Sequence, residues 1–214
     1  MLNRLLLLGL LAVGGAWCAG PKWVNLLNGK NLDGWEVAGD GFWKVLSDGT
    51  LVGQRDMRTA EHQSWLYTKK EFGEFEFEVE FWTRDRGNSG ISILDTTRGY
   101  YSFGPQYVRM KTPSNIGYEI QISFGYPDDY PTGSIYNFVK AKPGAQKDND
   151  WNKMNIEHRN GMVRVKLNGV LVAERARDAN RASAGPIGFQ LHDKYSIVMF
   201  RNPRIREFQA GRKP

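Results

Sequence analysis

Phe75-Glu76-Phe77-Glu78-Val79-Glu80-Phe81 alternates without a break. Successive side chains of a strand point to opposite faces, so Phe75, Phe77, Val79 and Phe81 share one face and Glu76, Glu78 and Glu80 the other. A helix would scatter both groups around its axis, so this stretch reads as a strand with one side on a core. The same pattern recurs on either side of it. Met162 to Leu167 sets Val163, Val165 and Leu167 against Arg164 and Lys166, and lies between Asn160-Gly161 and Asn168-Gly169. Asn-Gly is the strongest short-range hairpin signal, and Val170 to Ala173 then continues a meander. A third Asn-Gly stands at Asn28-Gly29. Gly90 to Leu94, Gly117 to Ser123, Ile187 to His192 and Ile197 to Ile205 are further strand candidates. No segment holds a 3.6-residue apolar period of useful length, and Ala176 to Ala184 offers one helical turn at most. Many short strands in a chain of 214 residues indicate an all-β sandwich or barrel of one domain.

The first twenty residues read differently. Arg4 precedes an apolar run from Leu5 to Val13, followed by Gly14, Gly15 and Ala16, the order of a signal peptide. The run is too short for a comfortable membrane span. The expectation is a leader over 1–20 with an unfixed cleavage site, a domain over 21–210 and a short basic tail over 211–214. The protein is expected to be exported, periplasmic or secreted, with no transmembrane helix in the mature chain. Cys18 is the only cysteine. Bulky Trp17 before it and Gly15 where leucine is usual argue against a lipoprotein, and the domain itself can form no internal disulfide. The net charge of +6 comes from scattered residues, with a modest cluster at Arg201, Arg204, Arg206, Arg212 and Lys213. Nucleic-acid binding needs a stripe or a motif, and the sequence has neither.

Several short motifs follow one another along the chain: Leu27-Asn28-Gly29-Lys30 with Gly34 and Trp35, Asp48-Gly49, Leu66-Tyr67-Thr68, Gly87-Asn88-Ser89-Gly90, Gly117-Tyr118-Glu119-Ile120-Gln121, Thr132-Gly133-Ser134-Ile135-Tyr136, Trp151-Asn152, Gly188-Phe189-Gln190-Leu191-His192 and Phe200-Arg201-Asn202. Each alone is weak, but the ordered series resembles the 3-keto-disaccharide hydrolase family, also described as 3-keto-glucoside 1,2-lyase / 3-keto-2-hydroxyglucal hydratase. The resemblance covers about Trp23 to Phe208. It implies a concanavalin-like lectin/glucanase jelly roll of two antiparallel sheets, with the site on one curved face. It also implies cleavage of an oxidised disaccharide or glucoside by β-elimination followed by hydration. Pro203 departs from the pattern, since an aliphatic is more usual after Asn202. A proline cannot donate to a ladder, so a sheet edge or a bulge is expected there.

Alternation nominates the residues that could act. Ile120 and Ile122 point inward and leave Glu119 and Gln121 outward; Phe189 and Leu191 point inward and leave Gln190 and His192 outward. The elimination needs a base near C2, donors for the enolate oxygen and an acid for the leaving group. Glu119, His192 and Arg201 are the expected catalytic residues. Asn88, Gln121, Tyr136 and Gln190 are expected to hold substrate, with Arg201 at the pocket wall and Asn88, read as a loop residue, at the rim with Tyr136. No ligand motif asks for a metal, although a divalent ion at the ketone would be compatible with the chemistry. The Asp128-Asp129 and Asp148/Asp150 pairs follow no calcium-loop spacing. The long Pro-, Gly- and Asp-rich stretch from Tyr126 to Asn152 reads as a functional loop.

Two rival functions deserve statement. A lectin-like carbohydrate-binding module would need only aromatics and amides, whereas the enzyme needs titratable groups gathered in one pocket. A conventional glucanase is suggested by the Glu76, Glu78, Glu80 row, which is similar to an E-x-D-x-E motif. The plainer account of that row is a solvated face answered across the ladder by Arg204 and Arg206.

Overall fold

A computed structural model describes residues 20–55, 58, 62–125 and 129–208. The leader to residue 19 with Cys18, Asp128 of the loop acid pair, and the basic tail with Arg212 and Lys213 lie outside the described residues. Among the described residues, the strands in chain order are β1 (Val24–Asn25), β2 (Trp35–Ala38), β3 (Phe42–Val45), β4 (Leu51–Gln54), β5 (Ser64–Thr68), β6 (Phe75–Thr83), β7 (Asn88–Ile93), β8 (Tyr118–Ser123), β9 (Asn152–Arg159), β10 (Met162–Leu167), β11 (Val170–Ala176), β12 (Ile187–Leu191) and β13 (Ile197–Glu207). They form two wholly antiparallel sheets. The larger runs β11-β10-β9-β6-β13-β4-β3, with β1 also paired to β13, and the smaller runs β2-β5-β12-β7-β8.

The alternating stretch lies at the centre of the larger sheet. Phe75, Phe77, Val79 and Phe81 are buried, and they meet Leu66, Ile91, Ile120, Ile122, Phe189 and Leu191 from the smaller sheet. Phe189 joins the two layers: its ring stacks on Phe200 at 4.0 Å and on Trp35 at 5.2 Å. Such pairs add to the burial of the rings themselves.

Two of the three Asn-Gly pairs close hairpins. Asn160-Gly161 joins β9 to β10 and Asn168-Gly169 joins β10 to β11, all four residues at positive φ, as a type I′ turn requires. Asn28-Gly29 does not close a hairpin, because β1 and β2 belong to different sheets. There the Asn28 side chain accepts the Lys30 and Asn31 amides and turns the chain by itself. The strand β11 ends at Ala176, and no helix forms beyond it to Ala184.

Pro203 occupies a bulge and not an edge. The β6–β13 register shifts between Arg201 and Arg204, and Asn202 stands at φ 55°. At the same point the other side of β13 passes from β4, paired to 197–200, to β1, paired to 204–205. The Pro203 carbonyl accepts the Leu26 amide at 2.8 Å.

The β7–β8 connection, residues 94–117, is far longer than a hairpin needs. It carries three short 3₁₀ turns and the single α-helical turn among the described residues, Pro113–Ile116. It lies over the outer face of the smaller sheet: a Cβ on Gly99, at φ 68°, would come 2.9 Å from the Trp65 ring. Its root is held by buried Asp95, whose carboxylate accepts the Thr97 and Gly99 amides, the Thr97 hydroxyl and the Tyr67 hydroxyl at 2.6–2.9 Å. Burial, then the Asp95 charge, push the Tyr67 phenol well above its ordinary range, so it stays a donor.

Candidate functional site

The outward phase of the smaller sheet is not solvent-facing. Glu119 is 4% exposed, Gln121 1% and Gln190 0%. The 94–117 connection covers them from above, and residues 132–136 run along the free edge of β8. Gly133 donates to the Gln121 carbonyl, Gln121 to that of Ser134, and Tyr136 to that of Glu119, each at 2.9 Å. This fastening sets Tyr136 beside Glu119.

Between sheet and cover lies a cavity of about 280 Å³. Glu119, Gln121, Tyr136 and His192 line it, so four of the seven residues nominated from sequence come together. Gln63, Tyr107, Arg109, Thr112, Ser114, Asn115 and Asn137 complete the wall, and none of these was nominated. The signal that could have found most of them was the 24-residue gap without alternation between two adjacent strand candidates.

Backbone register explains how the floor is made. Gly90 pairs with Gln121 and Ser92 with Glu119. A Cβ on Gly90 would lie 2.7 Å from Glu119 Oε1, so the missing side chain is what lets the carboxylate lie across β7. The β7–β12 register, carried one residue past Phe189↔Ile91, sets Gln190 beside Gly90 on the same face. Both amide atoms of Gln190 and Oδ1 of Asn88 are buried without a hydrogen-bond partner. Buried amides are nearly always satisfied, so these atoms call for water or a polar ligand.

His192 directly follows β12, at the cavity wall. Its Nδ1 faces the Asp193 carboxylate at 3.5 Å. The bond to His192, together with the Tyr195 amide, holds the Asp193 carboxyl below its ordinary range against the opposing effect of burial.

Two expectations need correction. Asn88 is neither in a loop nor at the rim; it is the first residue of β7 and is buried. Arg201 is not at this cavity. It does point outward from its strand, but β13 belongs to the larger sheet, and Arg201 Nε bonds to Glu80 at 2.5 Å with its guanidinium 4.1 Å from the Trp151 ring. It lines a different, larger hollow of about 460 Å³ with Asp48 and Asn202. There the polar groups are bonded to their neighbours: Asp48 to the Thr50 amide, Asn28 to Asn31, and Arg201 to Glu80. Alternation gives the face a residue takes on its own sheet, not which sheet the strand joins.

The Glu row is answered as its plainer account required. Arg206 bonds to Glu76 at 2.6 Å, Arg204 to Glu78 at 2.6 Å and Arg201 to Glu80. Lys153 also reaches Glu78 at 3.0 Å, and Trp23 lies against Arg204 and Arg206. Burial works to raise the Glu78 carboxyl, but the bonds and charges of Lys153 and Arg204 outweigh it and hold the group below its ordinary range. Among the described residues, no three His, Cys, Asp or Glu side chains gather as a metal site would need, and no helix is long and apolar enough to cross a membrane.

A family model described as a 3-keto-alpha-glucoside-1,2-lyase-like domain matches residues 22–206. No curated protein gives a significant match. Among solved structures, the chain is similar to two glycosyl hydrolase candidates from Parabacteroides distasonis. One has a TM-score of 0.66 at 20% identity over 87% of this chain and 94% of the other. The second has a TM-score of 0.64 at 25% identity over 87% of this chain and 100% of the other. A β-glucanase from Bacillus licheniformis shares the fold, with a TM-score of 0.54 at 13% identity over 89% of this chain and 99% of that one.

Proposed function

The chain belongs to the 3-keto-alpha-glucoside-1,2-lyase-like domain family, hence to carbohydrate chemistry, and on that premise we propose that it cleaves 3-keto-glucosides by β-elimination in the cavity on the smaller sheet. The observation that carries the proposal is the meeting of a buried carboxylate, Glu119, and an imidazole, His192, in one cavity, from strands far apart in sequence.

The chemistry follows from the substrate. A ketone at C3 acidifies the C2 hydrogen. A general base removes that proton, the electron pair passes through the enolate, and the C1–O bond breaks to release the aglycone. Water then adds across the resulting 2-hydroxy-3-keto-glucal, which completes a net hydrolysis. Glu119 and His192 are the proposed base and acid. Enclosed between the sheet and its covering loop, such groups act with more effect than in bulk water. Gln121 is proposed to bond the ketone or enolate oxygen; Gln190 and Asn88 do not line the cavity but are buried on the same face of the sheet, where their unpartnered amide atoms are proposed to hold a water behind Gln121. Tyr136, fastened beside Glu119, is proposed to flank the sugar. No role in the chemistry falls to Arg201.

The test is to incubate the protein with a 3-keto-glucoside and with its unoxidised parent and follow aglycone release. The oxidised sugar should be cleaved and the parent left intact, because without the ketone the C2 hydrogen is not acidic. Equal rates on both would point to ordinary glycosidase chemistry, and binding without cleavage would favour the lectin-like reading.

A further inference from the structure

Resting on the reading of the cavity as the site of chemistry, we infer that Arg55 is its positioning residue. One buried guanidinium sets His192 at the wall and ties the covering connection to the same point. Arg55 directly follows β4, on the larger sheet, and is 3% exposed. A guanidinium is costly to bury unless it is paired and its N–H groups are bonded. Its partners lie on three separate segments of the chain.

The first is Asp40, in the turn between β2 and β3, which pairs with Nη2 at 2.7 Å. That turn is pinned at the start of β5, where the Ser64 hydroxyl donates to the Ala38 carbonyl and accepts the Gly41 amide. The other two are backbone carbonyls. Nη1 donates to that of His62 and, at 3.3 Å, to that of Leu191. Each is one residue from a side chain that lines the cavity, Gln63 in the first case and His192 in the second.

The ladder between β12 and β5 ends at the pair Leu191↔Ser64, so His192 lies just beyond it. The Leu191 carbonyl belongs to the peptide unit that ends in the His192 amide. That unit is planar, so a bond to its oxygen fixes the plane from which the His192 side chain departs. On the other arm, the His62 ring stacks face to face on Tyr107 of the covering connection, with centroids 4.1 Å apart and planes within 11°. Tyr107 lines the same cavity. The cover and the imidazole thus take their places from one side chain. The task selects arginine: a planar fork meets a carboxylate and two carbonyls in fixed directions, whereas a lysine ammonium brings the charge without the fork.

The test reads position and does not depend on the elimination being correct. The chain has three histidines, so the imidazole proton signals of His62, His158 and His192 can each be assigned by NMR. They are compared in the full chain, Arg55→Lys and Asp40→Asn. His158 is the internal control: it lies on β9, three strands from β4, and bonds to the Gly73 carbonyl at 2.7 Å. In Arg55→Lys the His62 signals should lose the upfield displacement of a stacked ring, and those of His192 should move. The His158 signals should stay, and the thermal midpoint should report a folded chain. Asp40→Asn keeps the guanidinium but removes its charge partner; it should give the same change in smaller measure, and it decides the matter if Arg55→Lys does not fold. Unchanged His62 and His192 signals in the folded variant overturn the inference, as does an equal change at His158, which would make Arg55 a general support. On a 3-keto-glucoside, Arg55→Lys should lower kcat by about 10²-fold through misplacement and leave KM little changed. An unchanged kcat in an active chain overturns the inference too. If the signals move as expected and the unaltered chain cleaves no 3-keto-glucoside, the positioning role stands and the proposed reaction falls.

Discussion

Two sets of glutamates lie on the outward faces of the two sheets, and they have opposite surroundings. Glu76, Glu78 and Glu80 run along the larger sheet, and each meets an arginine directly across the β6–β13 ladder. Glu119 runs along the smaller sheet, where its cross-strand neighbours are Ser92 and, one step on, the empty position of Gly90. The 94–117 connection then closes over it. The first set is a structural ladder of opposite charges; the second is a carboxylate enclosed with amides, an imidazole and room for a ligand. A carboxylate's use is decided by what the neighbouring strand and the covering loop bring to it. The row that looks most like a catalytic motif is the one answered, residue by residue, by arginines.

The largest effect should come from the enclosed set. Replacing His192 by Ala, or Glu119 by Gln, should slow cleavage of a 3-keto-glucoside by at least about 10²-fold, the usual scale for losing a general acid or base. Thermal midpoints measured on the same samples show whether each variant is folded. Because Glu119 is buried, the near-isosteric Gln is the appropriate choice.

A smaller effect should follow from filling the floor. In Gly90→Ala the new methyl meets the Glu119 carboxylate, a terminal group that can swing aside. Turnover should drop by about tenfold through misplacement, with little loss of stability. A folded variant that works at the normal rate would show that the carboxylate does not depend on that notch.

The least effect should come from the charge ladder, and it concerns stability alone. Glu78 has its folded pKa held below the unfolded value, so its contribution is present above that value, near 4.5, and is lost as pH falls through the folded pKa. His158 acts in the same direction at higher pH. Burial, the leading cause, lowers its pKa from 6.5 while Nδ1–H donates to the Gly73 carbonyl, so its contribution declines as pH falls below 6.5. Glu78→Gln should cost about 1 kcal/mol or less near neutrality and flatten the acid limb below pH 4.5. Urea titrations across pH check this; an unchanged acid limb would remove Glu78 from the ladder's energetics.

Much of the fold was legible because strand alternation is a local property. The core residues of β6, β8 and β12, the hairpins at 160–161 and 168–169, and an edge or a bulge at Pro203 can all be read within a few residues of sequence. The convergence of Glu119, Gln121 and His192 was legible by the same rule, once their strands were taken to share a sheet. What alternation cannot carry is the assignment of strands to sheets, and there Arg201 was misplaced. It also says nothing about cover. The 94–117 connection has neither period, so the burial of Glu119 and the wall residues Tyr107 and Arg109 could be found only in three dimensions. Asn88 was taken for a loop residue because Gly-Asn-Ser-Gly is turn chemistry locally, and the pairing with Ser123 overrode it.

The most direct measurement sets the two faces against each other. Aglycone release from one 3-keto-glucoside is followed in parallel for the unaltered chain, Glu119→Gln and Glu78→Gln, at a pH where all three are folded. Glu78→Gln should turn over normally and Glu119→Gln should lose at least about 10²-fold. Near-normal turnover in folded Glu119→Gln, with activity abolished in folded Glu78→Gln, would place the chemistry on the larger sheet and contradict its assignment to the smaller one.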